Sequence, residues 1–287
     1  MKALADRVLK GEEVAREMQR DLTHRVVALG AKGIEPLLSI VFIGHAASAR
    51  AYIKGIERTA MAIGVKVHTR NFPPDVKFAV LKEHLQALNE EAKVHGVVIM
   101  RPLPPGIEED TLGKILMAQK DVDCFGTVNA GKFMAGDKEA FPPATPQAVM
   151  EILKHYKIPL RGRRAVVIGR SMVVGKPLAM LFLKEDATVS ICHSHTKDLA
   201  GLCRQADILV SAAGHRGLVG KEMIKPGAVV IDVGINYAQG KIWGDVDYEA
   251  VYPIAGAITP VPGGVGTVTS RVLLKHVVQA AEGAAAI

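Results

Sequence analysis

No apolar run in this chain approaches the ~20 residues that a membrane-spanning helix requires, although 49% of its 287 residues are hydrophobic. Every run is short and is broken by glycine, proline or charge. The first residues, MKALADRVLKGEEVAREM, carry charges where a secretory leader needs an apolar core, so the expectation is a soluble, cytoplasmic protein without membrane association. Cysteine is scarce as well: Cys124, Cys192 and Cys203 are odd in number and lack CxxC spacing. That argues against a disulfide framework and a structural zinc site, so the thiols read as reduced and no metal is expected. Nor is positive charge concentrated. The formal net charge is +7, but only RGRR (161–164) forms a cluster. Nucleic acid is therefore not the expected partner, and an anionic small ligand or cofactor accounts for the charge.

What the chain does have is alternation. LLSIVFIG (37–44), VKVHT (65–69) and GVVIM (96–100) read as strands, with helical spacing of Val14, Met18, Leu22 and Val26 before them and of Phe78, Leu81, Leu85 and Leu88 between them. The pattern restarts with RAVVIG (164–169), ATVSIC (187–192), DILVSAAG (207–214) and AVVIDVG (228–234). Short apolar strands alternating with helices predict an α/β protein with mostly parallel sheets. Two domains are expected, 1–143 and 144–267. The join lies at FPPATPQAV, where Thr145 serves as N-cap and Pro146 opens a helix. A last helix over 269–281 is expected to bring 268–287 back onto the first domain. A further helix over 48–64 places Tyr52 and Ile56 on one face, whereas Lys54 points about 200° away from Tyr52.

VVIGRSMVVGKPLAMLFL (166–183) sets Gly169, Ser171 and Gly175 at the turn from a strand into a helix. Small residues there let backbone N–H groups approach a pyrophosphate at the helix N-terminus. A purely structural turn is the competing reading of such glycines. The next strand ends in CHSHT (192–196), so His193, Ser194, His195 and Thr196 stand where an NAD-preferring site has a carboxylate for the ribose hydroxyls. With no acid to repel a 2′-phosphate, and with Arg170 and Ser194 to meet it, the pattern favours NADP. A solvated arginine beside a polar loop is the rival explanation.

GRSMVVGKPLAMLF, KDVD (120–123), RPLP (101–104), VVIDVGIN (229–236), GDVDY (244–248) and ITPVPGGVGTVT (258–269) occur in order along essentially the whole chain. Together they resemble the bifunctional methylenetetrahydrofolate dehydrogenase/methenyltetrahydrofolate cyclohydrolase family. The resemblance implies a homodimer whose N-terminal α/β catalytic domain and C-terminal Rossmann-like NADP-binding domain hold a tetrahydrofolate derivative in the cleft between them. It implies that Asp123 accepts hydrogen bonds from the pterin and that Tyr52 stacks on the folate ring. Pro262, Gly263 and Gly264 would let backbone approach the substrate. Gly234 and Ile235 join Gly169, Arg170, Ser171, Gly175 and Ser194 as cofactor-binding residues. On spacing alone, Tyr52 reads equally as helix packing and Asp123 as a turn acid. Asp121 reads as a loop organiser, and His193 and His195 lie at the cofactor's ribose rather than at the chemistry.

The chain departs from the family where hydrolysis is concerned. Ile56 occupies the position of a lysine that promotes hydrolysis of the methenyl bridge, and Met100 that of the glutamine that tunes it. Other departures are Cys124 for glycine, Ala144 for cysteine and Thr267 for proline. Neither Ile56 nor Met100 can activate water or transfer a proton. The expected activity is NADP-dependent oxidation of 5,10-methylene-tetrahydrofolate to the 5,10-methenyl form, with cyclohydrolase activity weak or lost. Two alternatives stand: a fully bifunctional enzyme using a displaced lysine or ordered water, and a catalytically silent folate- or nucleotide-binding partner.

Overall fold

A strand flanked on both sides in a parallel sheet has no solvent face and reads as an unbroken apolar run. The computed structural model, which describes residues 7–238 and 240–285, has two sheets of this kind. The chain begins with α1 (Gly11–Gly30), β1 (Leu37–Ile43), α2 (Ala47–Ile63), β2 (Lys66–Phe72), α3 (Phe78–Glu90) and β3 (Gly96–Ile99). The short helices α4 (Glu109–Gly113) and α5 (Thr127–Met134) follow. The three strands are parallel in the order β2-β1-β3. Central β1 is buried at every position, whereas edge strand β2, KVHTRNF, is mostly exposed and correspondingly polar.

The second series runs α6 (Ala144–His155), β4 (Arg164–Ile168), α7 (Gly175–Lys184), β5 (Thr188–Cys192), α8 (Leu199–Cys203), β6 (Ile208–Ser211) and β7 (Val229–Asp232). A hairpin of β8 (Asn236–Ala238) and β9 (Lys241–Trp243) comes next, then α9 (Tyr248–Val251), β10 (Ala257–Ile258) and α10 (Val265–Ala285). Five of these strands form a parallel sheet in the order β10-β7-β6-β4-β5. The path from β4 goes first to β5 on one side and then to β6 on the other. The order reverses there, and a ligand of such a sheet binds beyond the C-terminal ends of the two strands flanking the reversal, β4 and β6.

The chain divides into two compact units: one holds Thr145–Thr269 with residues 7–16, the other Glu17–Ala144 with residues 270–285. The later part of α10 therefore belongs with the first sheet. There His276 Nδ1 lies 2.9 Å from the Val122 carbonyl oxygen, and a Cβ on Gly96 would meet Val122 at 2.9 Å and Val277 at 3.0 Å. The N-terminal residues, expected with the first domain, group instead with the second. Leu9 N–H donates to the Ile258 carbonyl and Gly11 N–H to that of Gly263, each at 2.8 Å.

Several local expectations shift. α10 starts at Val265, before the expected 269, because Gly263 is left-handed (φ 101°) while Gly266 is accommodated inside the helix. α6 begins at Ala144, one residue ahead of the expected cap. Phe78 is 40% exposed, since the buried stripe of α3 consists of Leu81, Leu85 and Leu88. The sequence pattern gave no sign of the β8–β9 hairpin or of the short α4 and α5.

Candidate active site

α2 buries a stripe that includes Ile53, Ile56, Ala60 and Ile63, and it ends at Gly64, left-handed at φ 93°. Ile56 has no exposure at all, Tyr52 one turn earlier is half-buried, and Lys54 is exposed on the opposite side. At the end of β3, Met100 is buried, with its N–H donating 2.9 Å to the Val41 carbonyl. Positions 56 and 100 are thus both held by apolar side chains that solvent barely reaches.

The loop after α4 is organised by a buried carboxylate. Asp121 accepts the N–H groups of Phe125 and Gly126, both at 2.8 Å, and its carbonyl accepts Asn129 Nδ2 at 2.9 Å. Two residues on, Asp123 Oδ1 accepts the Ala144 N–H at 2.8 Å. Burial pushes the Asp123 carboxyl up to about 6, opposed by the Ala144 N–H and the Arg101 guanidinium. Desolvation, then the Asp123 charge, hold the Tyr52 hydroxyl well above its usual range. Tyr52, Asp123 and Arg101 therefore share one electrostatic environment.

Arg101, within RPLP, is a residue to which sequence pattern assigns no role. Its guanidinium lies 4.4 Å over the Phe125 ring, and its Nε is 3.0 Å from Glu109. A cation between apolar Met100 and Pro102 was the signal available in the sequence. Cys124 adopts φ 54°, a left-handed conformation that costs a non-glycine residue roughly 1–2 kcal/mol. Burial and the two neighbouring aspartates push its thiol up to about 12, so it is no nucleophile at neutral pH.

In the other unit, the β4–α7 turn is shaped by glycines that cannot be replaced without displacement of backbone. Gly169 sits at φ 130°, and a Cβ there would lie 2.5 Å from the Ala212 carbonyl oxygen at the end of β6. A Cβ on Gly175 would run into the Gly169 carbonyl. Ser171 Oγ accepts the Val174 N–H at 3.0 Å, which closes the turn. α7 starts without a side-chain cap, and Arg170 is exposed beside it. At the end of β5, Ser194 is exposed and the backbone N–H of His195 is 3.2 Å from His193 Nδ1. The first acid after β5, Asp198, is committed to α8, where it accepts the Gly201 N–H at 2.9 Å. An uncapped helix start, a close-approach turn and no free carboxylate at the ribose position fit a 2′-phosphorylated dinucleotide.

Of the remaining residues expected at the site, Gly234 donates its N–H 2.9 Å to Asp232 Oδ1, and Ile235 is 55% exposed. Pro262, Gly263 and Gly264 fall in the same unit as the dinucleotide turn, and Tyr52 and Asp123 in the other. Val261–Pro262 is cis.

Two family models match: the tetrahydrofolate dehydrogenase/cyclohydrolase catalytic domain over residues 9–123, and the NAD(P)-binding domain of the same family over 143–285. The bifunctional protein FolD of Alkaliphilus oremlandii is 48% identical over 95% of this chain and 96% of its own length. The crystal structure of the bifunctional FolD methylenetetrahydrofolate dehydrogenase/cyclohydrolase of Campylobacter jejuni superposes with a TM-score of 0.94, at 38% identity over 96% of this chain and 98% of that one. The methylenetetrahydrofolate dehydrogenase-cyclohydrolase of Trypanosoma brucei, crystallised with NADP and an inhibitor, gives 0.93 at 37% identity over 98% of each chain. With this agreement along nearly its full length, the chain belongs to the tetrahydrofolate dehydrogenase/cyclohydrolase family.

Proposed function

We propose that this protein is an NADP-dependent dehydrogenase that oxidises 5,10-methylene-tetrahydrofolate to 5,10-methenyl-tetrahydrofolate and has little or no cyclohydrolase activity. The observation that carries the reading is the complete burial of Ile56 one helical turn from Tyr52, together with buried Met100 at the second altered position. Two apolar side chains leave no unpaired polar atom in place of an amine and its amide partner, so the site is coherent without them. NADP, when bound, supplies the two-electron oxidant. Arg170 and Ser194 would meet its 2′-phosphate, and the Gly169–Gly175 turn its pyrophosphate. Asp123, ionised above about pH 6, is suited to accept paired N–H donors from a pterin, and Tyr52 to stack on it. Tyr52 stays a neutral phenol, because desolvation and Asp123 both oppose its ionisation. The active form is proposed to be a homodimer, which light scattering on the purified protein tests.

A relative 48% identical carries the name of a bifunctional protein, which favours the second reading, retention of both activities. The two are separated by assaying methylene oxidation and methenyl hydrolysis independently on one preparation, with spontaneous hydrolysis subtracted. Oxidation with hydrolysis near background is expected. Hydrolysis far above background would return the chain to the bifunctional class, and absence of NADPH formation would sink the dehydrogenase reading.

A further inference from the structure

The motifs VVIDVGIN and GDVDY each bring one buried aspartate to the C-terminal edge of the five-stranded sheet, where neither a pterin nor a phosphate calls for a negative charge. Asp232 ends β7 and is paired in register with Ser211 at the end of β6. Asp245 follows β9 and has no exposure. Its carboxylate gathers the β6 loop: Oδ2 accepts Ser211 Oγ at 3.1 Å, Ala213 N–H at 2.7 Å and Gly214 N–H at 3.1 Å, while Oδ1 accepts His215 N–H at 2.8 Å. From the β7 side, Asn236 Nδ2 reaches the same Oδ1 at 3.0 Å. Asp232 in turn accepts Gly234 N–H at 2.9 Å, Asp245 N–H at 3.0 Å and Val246 N–H at 2.9 Å.

The two carboxylates interlock, since the backbone of one donates to the side chain of the other. Gly234 and Gly244 make room for them: a Cβ on the first would collide with the Asp245 carboxyl, and on the second with that of Asp232. The loops held in this way are the one leaving β6 at the reversal of strand order, against which Gly169 packs through Ala212, and the one carrying Gly234 and Ile235. Three successive backbone donors at the crevice are thus spent on Asp245 and are not aimed at a ligand phosphate. A carboxylate with all its lone pairs occupied holds backbone more stiffly than neutral hydrogen bonds do, because charge-assisted bonds are about twice as strong.

We propose that Asp245 and Asp232 are positioning residues of the cofactor crevice, an interlocked pair of buried carboxylates that sets the loops after β6 and β7 in the conformation that receives the dinucleotide. This rests on the NADP reading above. Neither residue touches the ligand in this account.

The test uses the full chain and its Asp245→Asn variant, with NADP as the titrant followed by protein fluorescence, amide hydrogen exchange of the ligand-free protein, and steady-state kinetics. Replacing one carboxylate oxygen by an NH2 group opposes donors already present. Exchange should rise in residues 211–215 and 233–236. Loss of one or two bonds to a charged group corresponds to NADP binding weakened by about tenfold or more. The KM for methylene-tetrahydrofolate should stay within about twofold, a split that a general loss of structure would not give. If Asp245→Asn does not fold, Ser211→Ala and Asn236→Ala each remove one donor to the same carboxylate, and each should weaken NADP by severalfold. Loosened loops with unchanged NADP affinity would overturn the proposal and leave the cofactor reading intact. Failure of the unmodified protein to bind NADP would overturn both, and in that case Arg170→Ala would change nothing either.

Discussion

Ile56 is fully buried one helical turn after Tyr52. A lysine at its fully buried position would desolvate an ammonium group, which favours the neutral amine and costs about 3–5 kcal/mol if the charge is left unpaired. Ile56→Lys alone is therefore expected to lower stability by that order, read by urea unfolding, and to add little hydrolysis. Ile56→Lys with Met100→Gln supplies an amide partner and should restore more methenyl hydrolysis than the single changes together, as for residues that act as a unit. Additive single effects would refute the coupling. Asp123 offers a test by pH. Its folded-state value of about 6 lies above the ordinary 3.8, so the folded protein takes up a proton that the unfolded chain does not as pH falls from 7 to 5. That uptake stabilises the fold at low pH and is lost as pH rises through 6. In the proposed reading, the same proton removes the acceptor for the pterin. Between pH 7 and 5 the unmodified protein should thus gain more in melting temperature than Asp123→Asn does, while its folate affinity falls. Equal pH responses of the two proteins would contradict the assignment.

Among the elements, the β4–α7 turn is tightly constrained. Gly169 combines a φ of 130° with a close backbone approach to Ala212, so its requirement for glycine comes from two sources at once. Gly169→Ala is expected to cost about 1–3 kcal/mol of stability through strain and displacement. It should also weaken NADP more than folate, measured by parallel titrations, because the displaced backbone is the one that faces the pyrophosphate in our reading. Wild-type NADP affinity in that variant would argue that the turn is purely structural. Apart from the two-residue β10, the strand runs of both sheets were legible from pattern, since parallel strands buried on both faces are continuous in hydrophobicity. The start of α10 was not. Three glycines in ITPVPGGVGTVTS cannot be sorted by sequence into loop and helix, and the assignment depended on where β10 and the N-terminal residues leave room, with Gly11 donating to Gly263.

At the scale of the whole molecule, Asp123 and Tyr52, proposed to meet folate, belong to one compact unit and Arg170 with the Gly169–Gly175 turn, proposed to meet the dinucleotide, to the other, which predicts separable binding defects for these residues. Asp123→Ala should lower folate affinity by about 1.5–3 kcal/mol and leave NADP binding nearly unchanged, whereas Arg170→Ala should weaken NADP with little effect on NAD or folate. Crossed effects in calorimetric titrations would show that the division does not describe function. Local sequence, through hydrophobic period, turn residues and motif spacing, determined the α/β class, most of the order of strands along the chain, the glycine-bearing β4–α7 turn and the apolar character of positions 56 and 100. Those properties follow from neighbours within a few residues of one another. Tertiary structure alone decided the rest: the grouping of residues 7–16 with the second sheet, the burial of left-handed Cys124 next to Asp123, the placement of Arg101 over Phe125, and the interlocking of Asp232 with Asp245. Each depends on contacts between segments remote in sequence, and on burial that desolvates a charge only once those segments have met.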